Sequence, residues 1–436
     1  MLPYLLLIIS YVIIQPIAVQ AQLSCVGTGW AGNSINAVIF RKNSVVIANG
    51  IQYTAWYDSS GTVLLAKRPF DSENWESIRT PLKGNIFDAH CSISIMIDGE
   101  GYLHIVWNQH DNSLHYCRSL SPDSLIFSNE IPMTGMQENS VSYPEFYKLP
   151  GGDLIFMYRD GSSGNGSLIL NRYYVSARQW QRIQTNLIDG EDERNAYWQA
   201  CVDNEGTIHL SWVWRETWDV STNHDLCYAK SADGGNTWQK SNGDSYSLPI
   251  TAATAEIIYN IPQKSELINQ TSMTVDSRER PYIAGYWRLN NSEIPQYRLV
   301  FQRNSKWRMV QISQKRIPFS LSGGGTKNIP VSRPQVLVTG KNNSLKVLIL
   351  FRDEELGNRV SCFINSNNAL TSWEAIHLTD FSVGNWEPTY DTESWMNDRE
   401  LYLFIQHVAQ GDAEKTVDLP SQPVYILHVS EEEFQK

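Results

Sequence analysis

Apolar and polar residues alternate along this chain in short runs, and the runs fall into a recurring unit. A turn residue, usually Gly, opens an alternating stretch of about six residues that ends in an aromatic. The copies read GIQYTAWYD to Trp56, GYLHIVWNQ to Trp107, GDLIFMYRD to Tyr158, GTIHLSWVW to Trp212, RPYIAGYW to Trp287 and LKVLILFRD to Phe351, with RELYLFIQ ending at Ile405. Each is preceded by one apolar strand and followed by another, such as LLAKR at 64–68, LHYCR at 114–118, LILNR at 168–172 and LCYAK at 226–230. Trp75, Phe127, Trp180, Trp238, Trp307 and Trp373 mark a fourth strand in six of the seven units. Four short strands per unit, repeating every roughly 50–75 residues, predict an all-β, seven-bladed β-propeller. It is expected to fill residues 25–430 as one domain. The last blade draws its third strand from PVYILHV at 423–429, so SINAVIF at 34–40 is expected to pair with that blade and close the ring, leaving no open sheet edge.

In a propeller the innermost strand of each blade starts, and the second strand ends, on the same face. Strand starts bring Asp88 to His90, Tyr143 to Glu145, Tyr197 to Gln199, Arg333 to Gln335 and Trp386 to Pro388 to that face. Strand ends add Asn108 to His110, Tyr158 to Asp160, Trp214 to Glu216, Trp287 with Arg288, and Arg352 with Asp353. The connections 240–268 and 308–332 are expected to project on the same side and shape a cleft. The turn Ser231-Ala-Asp-Gly-Gly-Asn-Thr-Trp238 is a complete Asp-box, read as structural and placed on the opposite face.

Composition narrows the partners. The 436 residues carry a net charge of −11, which argues against general nucleic-acid binding. Any positive field for an anionic ligand must therefore be local. Residues 1–21 read as a secretory signal with an apolar core from Leu5 to Ile14, although the segment before that core lacks Lys and Arg. The protein is expected to be secreted or periplasmic, without a membrane span and monomeric, with a lipid anchor at Cys25 as the alternative. Six cysteines invite disulfides, but Cys91 and Cys201 fall on inner strands, and Cys117 and Cys227 on third strands that do not neighbour them. Buried free thiols are expected instead.

His90 and His110 form the sharpest pair: 20 residues apart, they bracket adjacent strands of the second blade. Taken singly, each could cap a strand; together at the channel mouth they become candidates for acid–base chemistry. Tyr158 and Arg159 end the second strand of the next blade, and Tyr158 could equally be that repeat's aromatic. Arg172 could reach the basin or pair on the blade flank. His104 and His209 occupy equivalent repeat positions and read as packing residues. Glu145, Trp198, Gln199, His224, Arg215, Arg288, Arg333 and Arg352 complete the expected substrate-binding set: aromatic faces for sugar rings, guanidinium forks for a carboxylate or sulfate. Asn223-His224-Asp225 has no ligand cluster of metal-site spacing, so neither metal nor cofactor is expected.

On DAHCSISIMIDGEGYLHIVWNQH at 88–110, YPEFYKLPGGDLIFMYRDGSSGNG at 143–166 and NHDLCYAKSADGGNTW at 223–238, the chain resembles the BNR-repeat propeller family of secreted carbohydrate enzymes, which includes ulvan lyases, rhamnose–glucuronate lyases and rhamnosidases. The resemblance spans the chain beyond its leader. It implies a polysaccharide lyase acting by β-elimination on a rhamnose-linked, glucuronic-acid-containing anionic polysaccharide. It also implies catalytic roles for His90, His110, Tyr158 and either Arg172 or Arg159. A hydrolase of rhamnosidase or sialidase type on the same fold, using Asp353 or Glu387 as acid, is the first alternative. A carbohydrate-binding propeller without turnover is the second.

Overall fold

The computed structural model describes residues 20–269, 271–341 and 344–435. All but the last two residues of the expected leader lie outside the described residues. Seven sheets form a seven-bladed β-propeller. Blade 2, for example, places Ser94–Ile97 innermost, Leu103–Val106 second and Tyr116–Arg118 third. Blade 3 follows with Val141–Lys148, Leu154–Ser162, Asn165–Tyr174 and Gln179–Asp189, and blade 4 begins with Asn195–Val202 and Ile208–Arg215.

Burial explains the strand patterns. Leu103–Val106 is buried at every position, because both faces of a second strand are covered by neighbouring blades. Outer Glu76–Lys83 buries only Thr80, and its other side chains meet solvent to some degree. The repeated turn is built by chemistry visible in sequence. Asp98 Oδ1 accepts from the Glu100 and Tyr102 amides at 2.9 and 3.0 Å, and Asp203 Oδ1 does the same for Glu205 and Thr207 at 3.0 and 2.8 Å. Gly101 and Gly206 close these turns at φ 88° and 87°, a conformation that penalises a Cβ.

The structure corrects three expectations. The strand that completes the last blade is Gln22–Gly29, paired antiparallel with Gln422–Ser430, and not 34–40. The 34–40 segment has no strand structure; instead it is packed inside, with Phe40 against His90. In blade 4 the fourth strand is Glu256–Tyr259, so 240–268 is no simple loop. Trp238 belongs to the Asp-box turn, donating from Nε1 to Gly235 O at 3.0 Å. In blade 2, Phe127 makes a single bridge to Ser119 instead of a strand. Of the expected connection 308–332, residues 308–311 belong to the strand Lys306–Gln311, and 312–332 contain no strand or helix beyond a single bridge at Val331.

All six cysteines are free, and only Cys25 is exposed. His104 and His209 are buried packing residues, each held by an aspartate at 3.1 Å (Asp98, Asp203) and by a tyrosine hydroxyl (Tyr116 at 2.8 Å, Tyr228 at 2.7 Å). No helix among the described residues is long and apolar enough to cross a membrane.

Candidate active site

The loop before Ser94–Ile97 and the segment after Leu103–Val106 deliver His90 and His110 to one spot. Their rings stack at 4.1 Å between centroids, 15° from parallel, and Phe40 stacks on the other face of His90 at 5.0 Å. One carboxylate serves both imidazoles: Asp88 Oδ1 lies 2.9 Å from His90 Nδ1, and Oδ2 lies 2.5 Å from His110 Nδ1. A second acid, Glu414, reaches His90 Nδ1 at 3.1 Å from a loop of the last blade. The Ala89 amide donates to Glu414 Oε2 at 3.0 Å, and the Thr326 amide donates to Oε1. Ala413 and Glu414 adopt φ 56° and 64°, so the loop bears backbone strain to present this carboxylate.

These surroundings split the two imidazoles. Burial alone would lower the His90 pKa, but hydrogen bonds to Asp88 and Glu414 raise it to about 9. Burial and the neighbouring His90 charge lower that of His110, against the pull of Asp88. At neutral pH the pair is thus one cation and one neutral ring. With Asp88 accepting a hydrogen bond from His110 Nδ1–H, the lone pair of the neutral ring sits on Nε2.

Tyr143 stands beside His90, ring centroids 5.7 Å apart, and Tyr197 stands 5.7 Å beyond Tyr143. Arg159 covers Tyr143 at 5.0 Å and Arg215 covers Tyr197 at 5.5 Å. Arg159 donates to Gly161 O, Ser142 Oγ and, at 3.4 Å, Tyr197 Oη; Arg215 donates to Thr217 O, Trp218 O and Asn269 Oδ1. Burial would raise both phenols. For Tyr197 the Arg215 and Arg159 charges reverse that effect and bring it down to about 7, whereas Tyr143 stays raised.

Tyr158 does not join this row. It is buried between blades as the repeat's aromatic, its hydroxyl donating to Gln137 O at 3.0 Å and accepting from Arg182 at 2.9 Å. Arg172 lies at the far end of its strand, paired across from Ile155 and bound to Asp153 at 2.8 Å, against the Asp-box Gly234 on the other face. Glu145, Trp198 and Gln199 sit deeper in the channel wall: Trp198 Nε1 donates to Glu145 Oε2 at 3.1 Å, and Lys42 donates to Gln199 Oε1 at 3.1 Å. Arg333 is buried in an ion pair with Glu387 at 2.5 Å, and Arg352 donates to the Ile329 and Trp386 carbonyls. His224 bonds Glu216 and Asp225, and Arg288 faces Glu266 on the rim.

The model of a BNR repeat-containing family member matches residues 51–315, more than half of the sequence. The chain belongs to the BNR repeat-containing family. No curated protein sequence matches it. Among solved structures, this BNR-repeat propeller is similar to an ulvan lyase described as a new family of polysaccharide lyase. The TM-score is 0.71 at 14% identity, covering 95% of this chain and 99% of that one. The same kind of ulvan lyase bound to -[GlcA(1-4)Rha3S]- superposes with a TM-score of 0.68 at 15% identity, over 94% and 98% of the two chains. The polysaccharide lyase Uly1 gives 0.67 at 14% identity, over 90% and 91%. At such identities the likeness establishes the fold.

Asp88, His90 and His110 also place one donor atom each within 4.8 Å of one another, a spacing a divalent cation could use. Short contacts between those same atoms already satisfy the three groups through protons. A separate cavity of about 440 Å³ is lined by Lys42, Tyr147, Cys201, Glu393 and Trp395 among others, and by neither His90 nor His110.

Proposed function

We propose that the protein is a secreted polysaccharide lyase that cleaves a rhamnose-linked, glucuronic-acid-containing polysaccharide by β-elimination. The stacked His90–His110 pair carries this reading: one carboxylate holds two imidazoles in opposite charge states beside a protonated phenol and two guanidiniums. Groups whose surroundings push their pKa values apart are the natural acid and base of a site. The fold likeness to ulvan lyases, one with a glucuronate–rhamnose sulfate ligand, supports the substrate class.

In this mechanism the positive field of His90, with the Arg159 and Arg215 charges beneath it, meets the uronate carboxylate and acidifies the C5 proton. His110 Nε2 removes that proton. The C5–H electron pair becomes the C4=C5 double bond, the C4–O4 bond breaks, and the Tyr143 hydroxyl protonates the departing O4. Tyr197 holds Arg159 and Arg215 beneath the basin. The hydrolase alternative draws less support: Asp353 is bound by Lys315 at 2.6 Å and Glu387 by Arg333, so neither carboxyl is free to act as acid.

Incubation with ulvan and a panel of other uronic polymers tests the proposal. Ultraviolet absorbance from an unsaturated uronate is the expected result. New reducing ends without absorbance would replace it with a hydrolase, and binding without either would leave a lectin-like propeller.

We further propose that the mature chain begins near Gln22 without a lipid anchor. Gln22, Leu23 and Ser24 pair with His428, Leu427 and Ile426, and Ser24 Oγ accepts from Arg68 and Trp75. Cleavage before Cys25 would strip these residues from the last blade.

A further inference from the structure

Three aromatic side chains are exposed among the described residues: Phe70, Phe87 and Trp218. Phe70 lies beside Tyr402, on the tail of a third strand leading away from the basin. The other two flank the candidate site. Phe87 precedes Asp88 on the loop that delivers His90, and Trp218 lies on the loop that follows the strand ending at Arg215, whose Nη2 donates to Trp218 O. Between them the groups form a continuous row: His90 to Tyr143 at 5.7 Å, Tyr143 to Tyr197 at 5.7 Å, Tyr197 to Arg215 at 5.5 Å.

Both rings are held in place while remaining open to solvent. Trp218 is 63% exposed, yet its indole lies on the Gly323–Gly324 backbone, where a Cβ added at Gly324 would come within 3.0 Å of the ring. The loop beneath is fastened by the Val220 amide to Gly323 O at 3.0 Å and by the Gly323 amide to Asp219 Oδ1 at 2.9 Å. Phe87 is 61% exposed and meets Trp30 edge-on at 6.1 Å. Its loop is tied by the Asn85 amide to Asn108 Oδ1 at 2.7 Å and by Asn33 Nδ2 to Ile86 O at 2.8 Å. Leaving large apolar rings in water costs stability, and tethering them means that little freedom is lost when a ligand covers them. A pyranose ring, with its flat C–H face, is the ligand chemistry that suits an isolated, pre-oriented aromatic beside a carboxylate-binding row.

We infer that Phe87 and Trp218 are outer sugar-stacking subsites on either side of the cleaved bond, which makes the enzyme bind an internal stretch of polymer and act in endo fashion. The inference rests on the polysaccharide reading above, but its test does not require turnover. Affinity electrophoresis in gels containing ulvan, run with the full chain and with Phe87→Ala and Trp218→Ala, measures binding alone. Each substitution is expected to weaken retardation roughly tenfold, equivalent to about 1.4 kcal/mol, with unchanged melting temperatures. If turnover is found, KM for long polymer rises in both variants while kcat/KM for the shortest cleavable oligosaccharide stays at the wild-type value. Early products from the wild-type protein should be of mixed, long lengths. Unchanged retardation in both variants, or release of a single short product from the start, overturns the inference. Retardation that is lost in the variants while no polymer is cleaved would keep the subsites and reject the lyase.

Discussion

His90 and His110 carry the same ring and are pushed in opposite directions by their neighbours, the first raised in pKa and the second lowered. Two carboxylates contact His90 and one contacts His110, while the positive charge of the first ring discourages a proton on the second. Activity that needs His90 protonated and His110 neutral gives a bell-shaped kcat/KM profile, its alkaline limb near pH 9 and its acid limb below the ordinary histidine range. Glu414→Gln removes one stabilising charge and is expected to move the alkaline limb down by about one pH unit, leaving the acid limb nearly still. The sign for stability follows from linkage. A raised folded pKa stabilises fully below about 6.5 and loses that contribution as pH rises through about 9. Melting temperature should therefore fall across that window, less steeply in the Glu414→Gln variant. Tyrosines offer a second check. Tyr143→Phe is expected to lower kcat by about 10²-fold or more, whereas Tyr158→Phe loses a buried hydrogen bond worth about 1 kcal/mol and keeps its rate. Equal rates for the two variants would reject the assignment of Tyr143 as acid.

Strand geometry decided which of these residues sequence could reveal. The turn glycines, alternating runs and terminal aromatics made the blades readable, and the bracketing of two strands by His90 and His110 placed that pair correctly. Tyr158 occupies the repeat's aromatic position, as Trp107 and Trp212 do, and all three are buried, so the sequence pattern alone could not tell packing from chemistry there. Tyr143 reaches the basin through a register shift between Ser142 and Glu145 and a φ of 55°, and no period-two pattern encodes that displacement. Arg172 is the eighth residue of Asn165–Tyr174, which carries it past the blade to the other face. Glu414 lies 324 positions from His90 in sequence numbering (414 minus 90), on a loop without repeat character. The element that joins the chain's two ends yields its own expectation. A protein beginning at Cys25 loses three of the seven register pairs that bind Gln22–Gly29 to the last blade, and Ser24's bonds to Arg68 and Trp75 with them. Its melting temperature should fall relative to a protein beginning at Gln22, by about 2 °C or more if the loss exceeds about 2 kcal/mol in a domain of this size. Identical melting curves would restore the lipoprotein alternative.

The whole ring is what assembles the site, because no blade holds enough of it. Blade 2 supplies the histidines, blades 3 and 4 the tyrosines and arginines, the connection after blade 5 supplies Thr326, and the loop of blade 7 supplies Glu414. Contacts such as Ala89 to Glu414 span the ring's closure, so the charge on His90 depends on the first and last blades staying joined. Weakening that joint should disable chemistry before it unravels strands. In urea titrations, the variant beginning at Cys25 is expected to lose activity at lower denaturant than it loses far-ultraviolet circular dichroism. The protein beginning at Gln22 should lose both together, as a cooperative unit does. The acid–base split would fail first: at intermediate urea the alkaline limb of the variant should slide toward the ordinary histidine value as Glu414 withdraws. If activity and backbone signal fall together in both proteins, the site does not depend on closure, and Glu414 holds His90 through its own loop alone.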